Sequence, residues 1–135
     1  RRKGLGIRVV PTLHMFAATV TTDDNYLAPI RTALRSFIVA GGKVMFGTDV
    51  GYMADREPRP EFVAMSASGM STADILRALT VEPAAFLEWA DTGEIRPGAR
   101  ADLTMLTTNA TGLTATDFAD VHTVIRGGRV VYGTP

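Results

Sequence analysis

Asp49 is the residue whose type and position most invite chemistry. It closes the run Val44-Met45-Phe46-Gly47-Thr48-Asp49, in which an apolar strand candidate passes through a glycine into a carboxylate. Parallel α/β folds display their catalytic groups at the C-terminal ends of strands. A carboxylate there ligates a hard or borderline cation, or acts as a general base toward metal-bound water. Gly47 would let another backbone or a ligand come close. The same pattern also suits a carboxylate that merely caps a turn, so spacing leaves both roles open.

The other candidates have more ordinary readings beside the chemical ones. His14 stands alone just past a strand candidate and reads as a partly buried structural imidazole. His122 opens a later strand and reads as surface or packing. Glu61 opens a helix, where its charge favours the helix dipole, and substrate contact is the competing role. Tyr52 and Met53, in the loop after Asp49, would line a substrate pocket. Phe62, Met65 and Met70 are core or pocket wall, and Arg56 and Arg59 are solvated charges unless a substrate anion engages them. Ser66, Ser68 and Ser71 have no adjacent base, and neither a Gly-x-Ser-x-Gly elbow nor a phosphate-cradling Gly-x-Gly-x-x-Gly occurs.

The elements that must position these residues are legible from Gly and Pro punctuation. Gly6 to Leu13 reads as a strand containing Pro11. Thr21-Thr22-Asp23-Asp24 offers N-caps for a helix whose Leu27, Ile30, Leu34, Phe37 and Ile38 recur at helical spacing until Gly41-Gly42, with Pro29 acceptable only in its first turn. Helix, glycine link and the strand Val44-Met45-Phe46 make half of an α/β repeat. Val50 to Pro60 is a long loop, of a kind more often functional than filler. Glu61 to Ser68 reads as helix, Ser71-x-x-Asp74 as a capping box, and Pro83 as the opening of a short helix through Trp89. Beyond Asp91 the texture is β: Ala101 to Thr107 is a strand, and Val121 to Arg126 pairs with Arg129 to Tyr132 across Gly127-Gly128. A boundary near Thr92 divides the chain into 1–91 and 92–135.

Composition excludes several classes. The 135 residues are 46% apolar, enough for one globular domain. Fourteen basic and fourteen acidic side chains are interspersed, which argues against a nucleic-acid or membrane partner. No apolar run reaches the roughly 20 residues of a membrane span. With no cysteine there is neither a disulfide framework nor a thiolate site. A cytoplasmic location is the default expectation. Arg1-Arg2-Lys3-Gly4 lacks an initiator Met, and the chain is expected to start at a cut.

Taken in order, these segments resemble one known family. Val10-Pro11-Thr12-Leu13, Ala40-Gly41-Gly42 leading to Phe46-Gly47-Thr48-Asp49, Glu61-Phe62 with Ala67-Ser68-Gly69-Met70-Ser71, then Asp74 to Thr80 and Pro83-Ala84, are similar to the C-terminal end of the amidohydrolase superfamily. The likeness is to its imidazolonepropionase-like and prolidase-like branch. Gly93-x-Ile95-x-x-Gly98-x-x-Ala101-Asp102-Leu103 and Val121 to Tyr132 are similar to the family's closing β segment.

This resemblance implies an α/β fold. The chain would be the C-terminal fragment of a (β/α)8 TIM barrel, with strands seven (Val9 to Leu13) and eight (Val44 to Asp49) and the helices after them. Residues 92–135 would be part of a small β-sandwich. It also implies a divalent metal, zinc by family habit, and a metal-activated water that attacks a carbonyl or phosphoryl centre. The matching catalytic and metal-binding position is Asp49, as ligand and proton shuttle, and the whole enzyme would act on C–N bonds of a small-molecule substrate. The family's His-x-His pair, its fourth-strand lysine or carboxylate, and the histidines of strands five and six have no counterpart here, and His14 matches no ligand position. The chain alone is therefore expected to hold no metal stably and to be inactive, since a catalytic zinc takes three protein ligands. The alternative is a non-catalytic barrel remnant that serves as an oligomerisation or ligand-binding module. Its unpaired strand edges would favour a homo-oligomer.

Overall fold

A computed structural model describes residues 6–20 and 23–134. The candidate caps Thr21 and Thr22 and the opening Arg1-Arg2-Lys3-Gly4 lie outside the described residues. The chain is α/β, with a parallel strand pair followed by helices and then a three-stranded antiparallel sheet.

The first strand is shorter than the sequence suggests. β1 is only Arg8–Val9, because Pro11 has no N–H to extend a ladder and Thr12 turns the chain at φ 45°. Leu13, expected to end that strand, instead opens helix α1 (Leu13–Thr19) and is buried there. No local signal announced this helix: Thr12 occupies the N-cap position but makes no side-chain cap bond.

Helix α2 (Asp24–Val39) is capped by Asp23, whose carboxylate accepts from the Asn25 N–H at 2.9 Å. Pro29 lies in its second turn rather than its first, at an exposed position. The helix ends in a Schellman motif: the Gly42 N–H bonds to Phe37 O and the Gly41 N–H to Ile38 O, both at 2.9 Å. Gly41 has φ 84°, which an L side chain rarely adopts.

β2 (Lys43–Val44) then pairs in parallel with β1, Arg8 opposite Lys43 and Val9 opposite Val44. Met45 continues the ladder with one bond to Val9 O at 2.8 Å. Phe46, expected within the strand, leaves it because its N–H turns to Ala78 O at 3.0 Å. Opposed cations at the start of two paired strands repel. The Glu82 carboxylate, 10% exposed, meets Arg8 at 3.9 Å, Lys43 at 3.5 Å and Arg77 at 3.3 Å, which neutralises the clash.

Three helices come next: α3 (Arg59–Ala67), α4 (Thr72–Leu79) and α5 (Val81–Phe86). The capping box at the head of α4 forms in both directions: Ser71 Oγ accepts from the Asp74 N–H at 3.1 Å, and Asp74 accepts from the Ser71 N–H at 3.0 Å. α5 begins two residues before Pro83 and stops short of Trp89. The core joins Leu13, Leu34, Val44, Phe62, Met65, Met70, Ile75 and Ala78, so every helix from α1 to α4 contributes to it.

β3 (Leu103–Leu106), β4 (Val121–Arg126) and β5 (Arg129–Tyr132) form a sheet of order β3-β4-β5, and Gly127-Gly128 makes the expected hairpin turn with φ 55° and 79°. A 3-10 helix, Ala115–Ala119, precedes β4 and carries Ala115 and Phe118 into the core. Phe62 stacks on Phe46 at 4.7 Å between centroids and meets Phe118 edge-on at 5.9 Å.

Candidate functional site

Asp49 lies five residues past β2, where the chain turns. Its φ is 58°, a left-handed conformation that aspartate tolerates better than most residues. The backbone makes the turn: the Asp49 carbonyl accepts from the N–H of Tyr52 at 3.2 Å and of Met53 at 3.5 Å. The Asp49 side chain is exposed, and its carboxylate has no hydrogen-bond or ion-pair partner among the described residues. Gly47 beside it faces Val10: a Cβ there would stand 2.4 Å from the Val10 side chain, so the glycine lets the ends of the paired strands close together.

Of the residues expected to line a pocket, Tyr52 is 71% exposed and Met53 only 7%. Met53 joins Val50, Gly51, Ala54 and Arg56 around an open concavity of about 420 Å³. The loop is fastened by its own carboxylates. Asp55 accepts from the Glu57 N–H at 2.8 Å, and Glu57 accepts from the Arg59 N–H at 3.0 Å and from its guanidinium at 2.7 Å. Arg59 also pairs with Asp120, tying the loop to the segment before β4.

Glu61, expected at the substrate, is fully buried and turned elsewhere. Its Oε2 accepts from the His14 N–H at 2.6 Å, which satisfies an orphan donor at the head of α1. Oε1 is buried with no partner among the described residues. Burial pushes the Glu61 carboxyl above the usual range, against the downward pull of the His14 and Leu13 backbone and of the His14 ring. The His14 ring reaches on to Asp55, Nε2 to Oδ2 at 3.2 Å. The Asp55 carboxyl is lowered, first by the Glu57 N–H and then by His14.

Glu61, His14 and Asp55 thus form a contact chain from α3 through α1 to the loop. Sequence pattern singled out two of these residues and linked none of them, because they are far apart along the chain and each contact is tertiary. Arg59–Asp120 was invisible for the same reason. His122 is exposed and bonds to its neighbour Thr123, Nδ1 to Oγ1 at 2.7 Å.

Asp49 offers one hard oxygen ligand. Among the described residues no three histidine, cysteine, aspartate or glutamate side chains converge where they could hold a metal ion. The donor set therefore suits one coordination position and not a complete catalytic site. No described helix is long and apolar enough to cross a membrane.

Comparison with known proteins matches residues 1–131 to the amidohydrolase family. No curated protein matches the chain. Among solved structures it is similar to a Xaa-Pro dipeptidase with methionine bound in the active site, at 28% identity and TM-score 0.78, over 95% of this chain and 35% of that one. It also shares a fold with the A. niger ochratoxinase (24% identity, TM-score 0.71, 95% of this chain and 32% of that one). A third similar structure is a prolidase complexed with N-methylphosphonate-L-proline (23% identity, TM-score 0.68, 94% and 35%). The chain spans about a third of the length of these structures.

Proposed function

Because the chain belongs to the amidohydrolase family, we propose that it is the C-terminal part of a metal-dependent hydrolase acting on C–N bonds, with Asp49 as a metal ligand and proton acceptor. In this reading β1 and β2 are the last two strands of a (β/α)8 barrel, residues 1–91 its C-terminal part, and residues 92–135 part of a small β-sandwich. The observation that carries it is the free carboxylate of Asp49. Had this side chain been a turn cap, it would bond to the turn; the Asp49 carbonyl does that work, and the carboxylate is left for another partner.

A divalent metal, zinc by family habit, would supply polarisation of the scissile carbonyl and a water acidic enough to ionise near neutrality. Asp49 would contribute one oxygen to holding it and would accept and return a proton at the other. Tyr52 and Met53, on the turn that Asp49 closes, would form part of the substrate wall. Glu61, fully buried, would support the site through the His14 N–H at the head of α1. Among a non-peptide amide, a cyclic amide and a dipeptide, the dipeptide has the support of the 28%-identical Xaa-Pro dipeptidase.

The test is a longer polypeptide read from the coding frame upstream of Arg1. It should carry a strand with His-x-His, bind metal and hydrolyse dipeptides, and Asp49→Asn should cost several orders of magnitude in kcat. A stop codon with no such strand, or near-normal activity of the variant, would overturn the reading.

A second reading is favoured by the apolar side chains left exposed. Ile7, Val10, Phe86, Leu87 and Trp89 are each between 44% and 59% exposed. This reading is a non-catalytic module, inactive alone, that self-associates through its unpaired strand edges. Sedimentation of the purified chain as a single monomeric species, with no binding of an apolar dye, would remove it.

A further inference from the structure

We propose that His14 is a positioning residue for the turn that carries Asp49, fastening the 50–60 loop to the head of α1 through Asp55. This rests on the reading of Asp49 as the reactive carboxylate, and the geometry behind it does not.

α1 comes after β1 and the loop comes after β2, so the two segments leave the same ends of paired parallel strands. Among the described residues no backbone hydrogen bond joins them there. The join is made by side chains in relay. Glu61, buried in α3, holds the His14 N–H at 2.6 Å and sets the first turn of α1. That fixes where the imidazole emerges, and its Nε2 stands 3.2 Å from Asp55 Oδ2. The His14 ring is 14% exposed, so it has little freedom to swing away, whereas the Asp55 carboxylate is 51% exposed and is the mobile partner. Asp55 Oδ1 meanwhile receives the Glu57 N–H at 2.8 Å, so the bond to His14 restrains the loop backbone and not merely one side chain. Two residues upstream of Asp55 is Met53, whose N–H, with that of Tyr52, closes on the Asp49 carbonyl. A loop released from His14 would hold the Asp49 turn by these two long bonds and the Gly51 N–H to Met53 O contact at 3.4 Å.

The discriminating experiment is residue-resolved amide hydrogen exchange on the chain, comparing wild type with His14→Ala. Alanine keeps the helix and the backbone N–H that Glu61 engages, and removes only the ring. Exchange at Tyr52, Met53 and Glu57 should rise about fivefold, the equilibrium factor for losing one net hydrogen bond, with α4 and the β3-β4-β5 sheet unchanged. Asp55→Asn, which keeps an oxygen acceptor for the ring, should give a smaller rise. Unaltered exchange at Tyr52 and Met53, or a uniform rise across all elements, would overturn the proposal. Should His14→Ala fail to fold, His14→Phe, which keeps a ring and removes Nε2, reads the same restraint. Inactivity of the longer enzyme would sink the catalytic reading of Asp49 and leave these exchange results standing.

Discussion

The backbone N–H of His14 donates to Oε2 of Glu61 at 2.6 Å, across 47 positions of sequence. A helix with no effective cap of its own is thereby started by a carboxylate from another helix. A buried carboxylate one of whose oxygens has no partner is costly to keep ionised.

This sets a pH dependence. The Glu61 carboxyl is raised in the fold, so the stability it contributes is complete below its unfolded value of about 4.3 and is lost as pH rises through the folded value. Glu61→Gln keeps an acceptor for His14 and removes the charge. Urea midpoints should show the variant gaining on wild type as pH rises from 4 to 7. A constant difference across that range would contradict the assignment.

Asp74 runs the other way. Its carboxyl is lowered, first by the Ser71 hydroxyl and then by the Ser71 N–H, so its stabilisation is present above the unfolded value and lost as pH falls through the folded one. Ser71→Ala should cost about 1 kcal/mol at pH 7 and abolish part of the acid sensitivity of α4, read by urea unfolding at pH 7 and pH 3.

Glu82 neutralises two cations that the parallel register sets opposite each other. Glu82→Gln should lower stability by about 1 kcal/mol, because Lys43 and Arg77 are more than half exposed and solvent screens their attraction. Arg8→Met introduced into that variant should recover part of the loss, because it removes the unpaired partner. No recovery in the thermal midpoint would show that Glu82 acts by packing alone.

At Asp49 the backbone is left-handed, so Asp49→Asn should shift stability by no more than about 0.5 kcal/mol, while Asp49→Ala should cost about 1 kcal/mol because aspartate and asparagine visit the left-handed region more readily than alanine. A large loss on Asp49→Asn would mean that the carboxylate itself supports the turn.

Phe62 touches Phe46 on one side and Phe118 on the other. Phe62→Ala should cost about 3–5 kcal/mol and raise exchange in the 3-10 helix as well as in α3. Loss confined to α3 would show that the β segment is anchored by Arg59–Asp120 instead.

What the sequence determined by itself is local. The Ser71-x-x-Asp74 box, the Gly41-Gly42 stop of α2 and the Gly127-Gly128 hairpin all depend on bonds spanning a few residues, and each formed as read. The ordered motifs of the amidohydrolase family were also readable, because motif order survives where no single motif is diagnostic. Tertiary structure decided the rest. The stretch from Leu13 looked like the end of a strand because its cap, Glu61, lies on another helix. Phe46 left its strand for the carbonyl of Ala78, a partner that only packing supplies. Whether Asp49 was a cap or a free carboxylate turned on a backbone carbonyl that takes the turn bonds in its place, since φ and side-chain partners are set by the folded neighbourhood and not by residue type.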